Sequence, residues 1–459
     1  MFEILRLNYR LTIFITLILW AVWLYLLYFI NLTPYPWEFK YHLLGIKLNQ
    51  GFQLYADIKD NTSPLSSLFF RLITYFNIPI SWNIFIATTI IAIQATIFQQ
   101  TLEKHNLLPK LGLVPFLFYL FTFHLSFEFI VPTPSLLGLT FLLLAWREIT
   151  LQQTRIQTND RVFFIGIYVG IASLFFLSYT LFISWAILSL VFYTGITIRQ
   201  VILTIVGYLF TFIMTALVFM YNGNLALMVQ LFKNSAFTYQ TPQLRDWQQL
   251  FIVFLPIIAF GISGLWSVSR SNKIRAHAQK VFQSNLLFIF TSIFALFTLP
   301  GLSRANLIFF LPPLVMFGLN TFYISKETWK KELIFWSFVF GTLISLNIQL
   351  NTNEVDRIKV NSLNLKNEKL MILGPQIEEY QNNRMSGPFV NWELSKFLFE
   401  RIHEYKNVII ISNFIKKDPP NYIYDPEGKF KNLMSYLPKL KSDYQLVDKN
   451  LYKKSTKNK

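Results

Sequence analysis

The first 350 residues hold few groups able to do chemistry, and those few fall in a pattern. Eleven Asp and Glu precede residue 351. Five of them, Glu38, Asp57, Asp60, Glu128 and Asp246, lie in alternate loops on one side of a series of apolar runs. Ionisable groups at the edge of a bilayer are costly and are functional candidates by default. Glu38 follows Pro34-Tyr35-Pro36-Trp37 directly, and Glu128 has Phe127 and Phe129 on either side. A carboxylate among aromatic rings gains affinity for protons, which suits a general base. Plainer readings stand beside these. Glu38 could simply open a helix, where an acid complements the dipole. Asp57 and Asp60 precede Asn61-Thr62-Ser63-Pro64, and turn chemistry alone accounts for Asp60. Glu128 could be an interfacial cap, and Asp246 pairs most simply with Arg245.

Arg304 stands in Pro300-Gly301-Leu302-Ser303-Arg304-Ala305-Asn306, a very short connection between two apolar runs. A guanidinium at that depth suits a phosphate, because its planar fork makes paired charge-assisted hydrogen bonds. The plainer role is a snorkelling anchor. Gly166 to Gly170, with three residues between, is a small-residue pattern that reads as a helix-packing notch.

Positioning these residues is the work of a mainly α-helical fold. Of 459 residues, 53% are hydrophobic and only 14% charged, against about one quarter charged in a water-soluble domain. Apolar runs of spanning length predict about eleven transmembrane helices, at 11–30, 79–100, 111–125, 128–146, 162–177, 179–197, 200–221, 248–268, 281–300, 306–324 and 333–350. Minimal connections predict tight hairpins for 111–125/128–146 and for 162–177/179–197. The apolar run after MFEILRLNYR is long and lacks a small-residue cleavage site, so it reads as a retained anchor.

Basic residues set the expected orientation. With the amino terminus inside, cytoplasmic segments hold fifteen Lys and Arg and the opposite side seven, spread over longer loops. The positive-inside rule then places the amino terminus in the cytoplasm and the large loops and carboxyl-terminal region outside an inner, or cell, membrane. The same loop placement explains much of the net charge of +17 and weakens a nucleic-acid reading. In the first external loop, 31–78, the stretches 37–48 and 64–76 predict helices lying on the membrane surface with apolar faces in lipid.

After Leu350 the composition changes: residues 351–459 hold 19 Lys and Arg, 13 Asp and Glu, and no run long enough to span. Lys369–Gly374 and Asn407–Asn413 predict short buried strands, with an amphipathic helix over Asn391–Tyr405 between them. A last helix near 430–441 and a strand at Tyr444-Gln445-Leu446-Val447 complete a small α/β domain of about 100 residues. The expected division is therefore 1–350, a transmembrane bundle carrying the loop helices, and 351–459, an extracytoplasmic α/β domain.

Several chemistries have no residues to carry them. There is no cysteine, and the five histidines show no pair at ligand spacing, so no cofactor is expected and no metal is indicated. Neither a GxxxxGK nor a GxGxxG stretch occurs, which argues against an ATP-driven pump and a nucleotide-sugar enzyme with a dinucleotide-type fold. Few charges lie deep in the spans, which weighs against an ion-coupled transporter.

One run of motifs resembles a known superfamily. An apolar anchor, an acid at the start of an external loop, Gly51-Phe52-Gln53-Leu54-Tyr55-Ala56-Asp57 and Ser63-Pro64-Leu65 are similar to the multi-spanning type C glycosyltransferases. Among these the likeness is to bacterial relatives of protein mannosyltransferases and the lipid A aminoarabinose transferase. Arg304 to Pro313 resembles their late Arg-then-Pro-rich helices, and Asp418-Pro419-Pro420-Asn421-Tyr422-Ile423 with Leu437-Pro438 resembles their extracytoplasmic ends. This chain departs at three points. The acidic pair is Trp37-Glu38, Ser63 replaces the first proline, and Ser178-Tyr179 stands where a middle-helix lysine is often found.

The resemblance implies transfer of a sugar from a polyprenyl-phosphate donor to an extracytoplasmic glycan, lipid or protein. Glu38, Asp57 or Glu128 would activate the acceptor, and Arg304, with Arg245 and Lys233 of the loop 222–247, would hold the donor phosphate. The expected partners are the lipid-linked sugar, membrane lipids and the acceptor, with no nucleic acid. Two other readings stay open: a transporter or flippase of lipid-linked glycans, and a noncatalytic membrane scaffold.

Overall fold

The computed structural model describes residues 34–104, 107, 112–154, 158–230, 244–270, 276–299, 303–324, 328–352, 363 and 365–455. Two helices come first, α1 (Pro36–Asn49) and α2 (Pro64–Tyr75). There follow α3 (Asn83–Lys104), α4 (Val114–Phe123), α5 (Pro134–Thr154), α6 (Asn159–Phe175), α7 (Phe182–Thr194) and α8 (Ile198–Tyr221). Then come α9 (Leu244–Ser269), α10 (Ala276–Ala295), α11 (Leu311–Ile324) and α12 (Thr328–Thr352). The remainder holds β1 (Lys369–Ile372), β2 (Arg384–Met385), α13 (Trp392–Glu400), α14 (Tyr405–Lys417), β3 (Tyr422–Tyr424), α15 (Lys429–Tyr436), α16 (Pro438–Asp443), β4 (Tyr444–Asp448) and β5 (Leu451–Lys454).

The chain divides into two compact units. The described part of the first falls within Thr62–Ser66 and Ser81–Glu354; the second takes in Thr33–Asn61, Ser67–Ile80 and Val355–Lys459. Residues 33–61 and 67–80 of the first loop are thus counted with the carboxyl-terminal segment, where the sequence had grouped them with the bundle.

Among the described residues, eight helical segments are long and apolar enough to cross a membrane: Ile80–Lys104, Pro134–Gln153, Leu177–Thr194, Ile198–Tyr221, Leu250–Ser269, Ala276–Thr298, Arg304–Phe322 and Trp329–Gln349. They correspond to eight of the eleven expected segments. Segment 11–30 lies outside the described residues. Run 111–125 supplies only the ten residues of α4, and 162–177 falls largely on α6, itself 17 residues long. The hairpin expected between 111–125 and 128–146 is not tight. Segment 124–133 intervenes with a 3₁₀ turn at Phe127–Ile130, and α4 and α5 each pack on α3.

Helix contacts in the bundle depend on small residues, which let backbones approach where no hydrophobic effect drives association. A Cβ on Gly166 would overlap the Thr204 carbonyl oxygen, and one on Gly207 would overlap that of Phe163, so α6 and α8 meet backbone to backbone. The 166/170 pair is a packing notch, as expected. Away from this contact, α8 leaves Ile202, Leu209, Ile213 and Val218 exposed, as suits a helix whose solvent is lipid.

The second unit is built on a five-stranded mixed sheet of order β2-β1-β3-β5-β4. β1 runs parallel to β2 and β3, and β5 runs antiparallel to β3 and β4. The strands expected at 369–374 and 444–447 are present, and so is the helix expected within 391–405. Asn407–Asn413, expected as a strand, is instead part of α14. Its buried residues Asn407, Val408, Ile411, Phe414 and Ile415 recur at helical spacing, and a run of isoleucines alone does not separate a strand from a buried helix.

Helix α1 also differs from expectation. It packs against the 3₁₀ turn Ile377–Tyr380, and its packed face includes Glu38 and Lys47 along with Phe39, Leu43 and Leu44. A helix that turns two charged residues toward protein is a domain element, not one with an apolar face laid in lipid. α2 keeps Leu68, Leu72 and Tyr75 exposed, the pattern of a surface helix.

Candidate functional site

In the second unit, the first-loop acids are held in three different ways. Glu38 stands at the third position of α1, 7% exposed, and its Oε2 accepts from the Tyr35 backbone N–H at 3.3 Å. This meets one of the unsatisfied donors at the helix start. Its neighbours in the helix make ring pairs: Trp37 stacks on Tyr35 with centroids 5.3 Å apart, and Tyr41 stacks on Phe70 at 4.6 Å.

Asp57 closes a loop on itself. Its Oδ2 accepts from the Gln53 N–H at 2.9 Å, and its own N–H donates to the Gln53 carbonyl. The loop turns at Gly51 (φ 83°) and at Tyr55 (φ 69°). A buried tyrosine in the left-handed region is held there by its surroundings at some conformational cost. Lys417 Nζ lies 3.6 Å from Asp57 Oδ2 and 4.2 Å from the Phe52 ring centroid. Asp57 keeps 27% of its side-chain surface open, the most of these three acids.

Turn chemistry accounts for an aspartate at position 60, yet the Asp60 side chain is wholly buried. Its Oδ1 accepts from Lys40 Nζ at 2.8 Å and from Asn391 Nδ2 at 2.9 Å. Burial, and secondarily the Asp60 carboxylate, pushes the Tyr41 hydroxyl far above its ordinary pKa. Both act on Tyr55 in the same direction. Lys40, Asn391 and the pair Lys47–Asp418 were not singled out from the sequence. Lys47 is 0% exposed and donates to Asp418 Oδ2 at 2.8 Å, the Met385 carbonyl at 2.7 Å and Gln50 Oε1 at 2.9 Å. A buried ammonium is tolerable only with its protons matched in this way. No local sequence signal marks that match, since Lys47 and Asp418 are 371 positions apart.

The first unit brings Glu128 and Arg304 together. Glu128 lies in the 3₁₀ turn Phe127–Ile130 and Arg304 opens another, Arg304–Phe310. Arg304 Nε is 2.9 Å from Glu128 Oε1, and Glu128 Oε2 accepts from the Ala305 N–H at 3.2 Å. Arg304 Nη1 donates to Gln349 Oε1 at 3.1 Å, and Ser126 Oγ donates to the same oxygen at 2.9 Å. Gln349 Nε2 in turn reaches the Leu125 carbonyl at 2.7 Å. For Glu128 to accept a proton, or Arg304 to take a phosphate, part of this buried network would have to give way.

Arg245 falls in the first turn of α9, and its side chain, like Lys233 altogether, lies outside the described residues. Among the described residues, no group of three or more His, Cys, Asp and Glu could hold a metal ion. Compared with protein-family models and with curated proteins, the sequence matches none of them.

Proposed function

We propose that this chain is a membrane glycosyltransferase that moves a sugar from a polyprenyl-phosphate donor to an extracytoplasmic acceptor. The observation that carries the reading is the folding of residues 34–61 with 365–455 into one unit, in which Glu38, Asp57 and Asp60 stand with Lys40 and Lys417. A first loop that merely joined two spans would not need a wholly buried Asp60, with Lys40 and Asn391 on one of its oxygens, or a wholly buried Lys47. The membrane-spanning helices and the motifs shared with type C glycosyltransferases support the same reading.

In this reading a loop carboxylate, Glu38 or the more open Asp57, takes the proton of the acceptor hydroxyl or amine. The freed oxygen or nitrogen forms a bond to the sugar's anomeric carbon. The bond from that carbon to the phosphate oxygen breaks, and polyprenyl phosphate leaves with the electron pair. The configuration at the carbon inverts. Arg304 and Glu128 serve chiefly to hold the two 3₁₀ turns together, since each already has the other as partner. The alternative base is tested by comparing Glu38→Gln with Asp57→Asn. The variant that removes the base should lower turnover by roughly 10²–10⁴-fold with folding kept, and near-parental turnover in both would remove these two carboxylates as the base, while no turnover in the folded parent would remove the enzyme reading.

A further inference from the structure

The far edge of the second unit's sheet carries a combination that the proposed reaction does not use. β4 is an edge strand, bonded on one side to β5 only. Its register with β5 shifts between Leu446 and Asp448, which leaves Val447 as the extra residue of a bulge. A bulge breaks the strict alternation of a strand and re-aims a side chain. Here two consecutive apolar residues are both outward, Leu446 62% and Val447 61% exposed. Tyr436, at the end of α15, is half exposed as well.

Lysines flank these residues along the chain and across the ladder. Lys439 and Lys441 lie on α16, which abuts β4, Lys449 lies in the β4–β5 turn, and Lys454 pairs in register with Tyr444. All four are exposed. The acids in 429–455 are Asp443 and Asp448 alone, against seven lysines. Edge strands are often blunted with lysine to prevent pairing with other chains. Blunting does not explain why two consecutive outward strand positions are Leu and Val. Exposed apolar side chains near a hairpin end, with exposed lysines on the neighbouring helix, turn and strand, are the pattern of a surface that dips into the headgroup region of an anionic bilayer.

We propose that the β4–β5 hairpin and α16 form a membrane-surface contact, with Leu446 and Val447 entering the interface and Lys439, Lys441, Lys449 and Lys454 meeting anionic lipid headgroups. The occupant is lipid, and not a soluble polyanion, because charge alone would leave the paired Leu and Val without a role. The inference is independent of the sugar-transfer reading.

The chain has no cysteine, so one introduced at Gln445 carries a fluorophore at a unique place. The full-length protein is reconstituted in nanodiscs of phosphatidylcholine, with or without phosphatidylglycerol. The label's emission should shift to shorter wavelength, and its quenching by aqueous iodide should fall, only with phosphatidylglycerol present. Raised salt should weaken both changes. Changing all four lysines to glutamine should abolish the response, as should Leu446→Ser with Val447→Ser. A label at exposed Lys406→Cys should not respond. Equal emission in the two disc types would overturn the proposal, as would an equal response at Lys406→Cys. So would a response to dextran sulfate in phosphatidylcholine discs that survives the Leu446→Ser/Val447→Ser change, which would assign the patch to a soluble polyanion.

Discussion

Arg304 Nε lies 2.9 Å from Glu128 Oε1, with both side chains buried and both residues at 3₁₀ turns of the first unit. The pair turns two residues that looked like separate instruments into one closure. Removing one partner strands the other as a buried charge. Arg304→Met or Glu128→Leu alone should therefore cost about 3–5 kcal/mol of stability, whereas the double change should cost clearly less than the sum. Thermal unfolding of the three variants in detergent measures this. Additive losses would mean the two residues do not act as a pair.

Gly264 gives a second test, free of electrostatics. A Cβ there would overlap the Phe317 carbonyl oxygen, a backbone atom unable to swing aside. Gly264→Ala should push α9 from α11 and cost about 1–3 kcal/mol. Gly341→Ala, whose Cβ would meet the Pro256 side chain at 3.1 Å, should be milder. Equal unfolding midpoints for the two variants would contradict the packing described.

Asp418 makes the second unit acid-sensitive. Burial opposes its ionisation, but the Lys47 ammonium, the Gly387 N–H and Lys369 outweigh burial and hold the carboxyl below its ordinary range. A depressed folded pKa contributes stability that is present above the unfolded value and lost as pH falls through the folded one. The stability of the second unit, followed by a label at Gln381→Cys, should fall as pH drops through and below the ordinary carboxylate range. Asp418→Asn should be less stable at neutral pH and should lose this acid-dependent step. An unchanged acid profile in Asp418→Asn would remove the residue from the pH response.

How much of this was legible in the sequence depends on the range of the interactions. Apolar runs and small-residue spacing are local, so most spans and the 166/170 notch could be read directly. The small sheet announced itself in Lys369–Ile372 and Tyr444–Val447. Asn407–Asn413 was misread because its isoleucines favour strands in isolation, while Phe414 and Ile415, one turn further on, complete a helical face. The buried pairs were not readable at all. Asp60 resembles any aspartate before a Ser-Pro turn until Lys40 and Asn391 are brought to it. Nothing near Lys47 in the chain indicates that a lysine on a loop helix will be fully buried against Asp418. Glu128 and Arg304 were each marked as unusual, and only the fold shows that each is the reason for the other.

The central claim is sugar transfer by a carboxylate of the first loop. Its most direct test is to incubate the purified full-length protein, in bilayers, with a panel of polyprenyl-phosphate-linked sugars and acceptor lipids, and to measure released polyprenyl phosphate. The account predicts release from at least one donor, reduced roughly 10²–10⁴-fold by Glu38→Gln or Asp57→Asn. Folded protein that releases polyprenyl phosphate from no donor, or that moves the lipid-linked sugars across the bilayer intact, would contradict it.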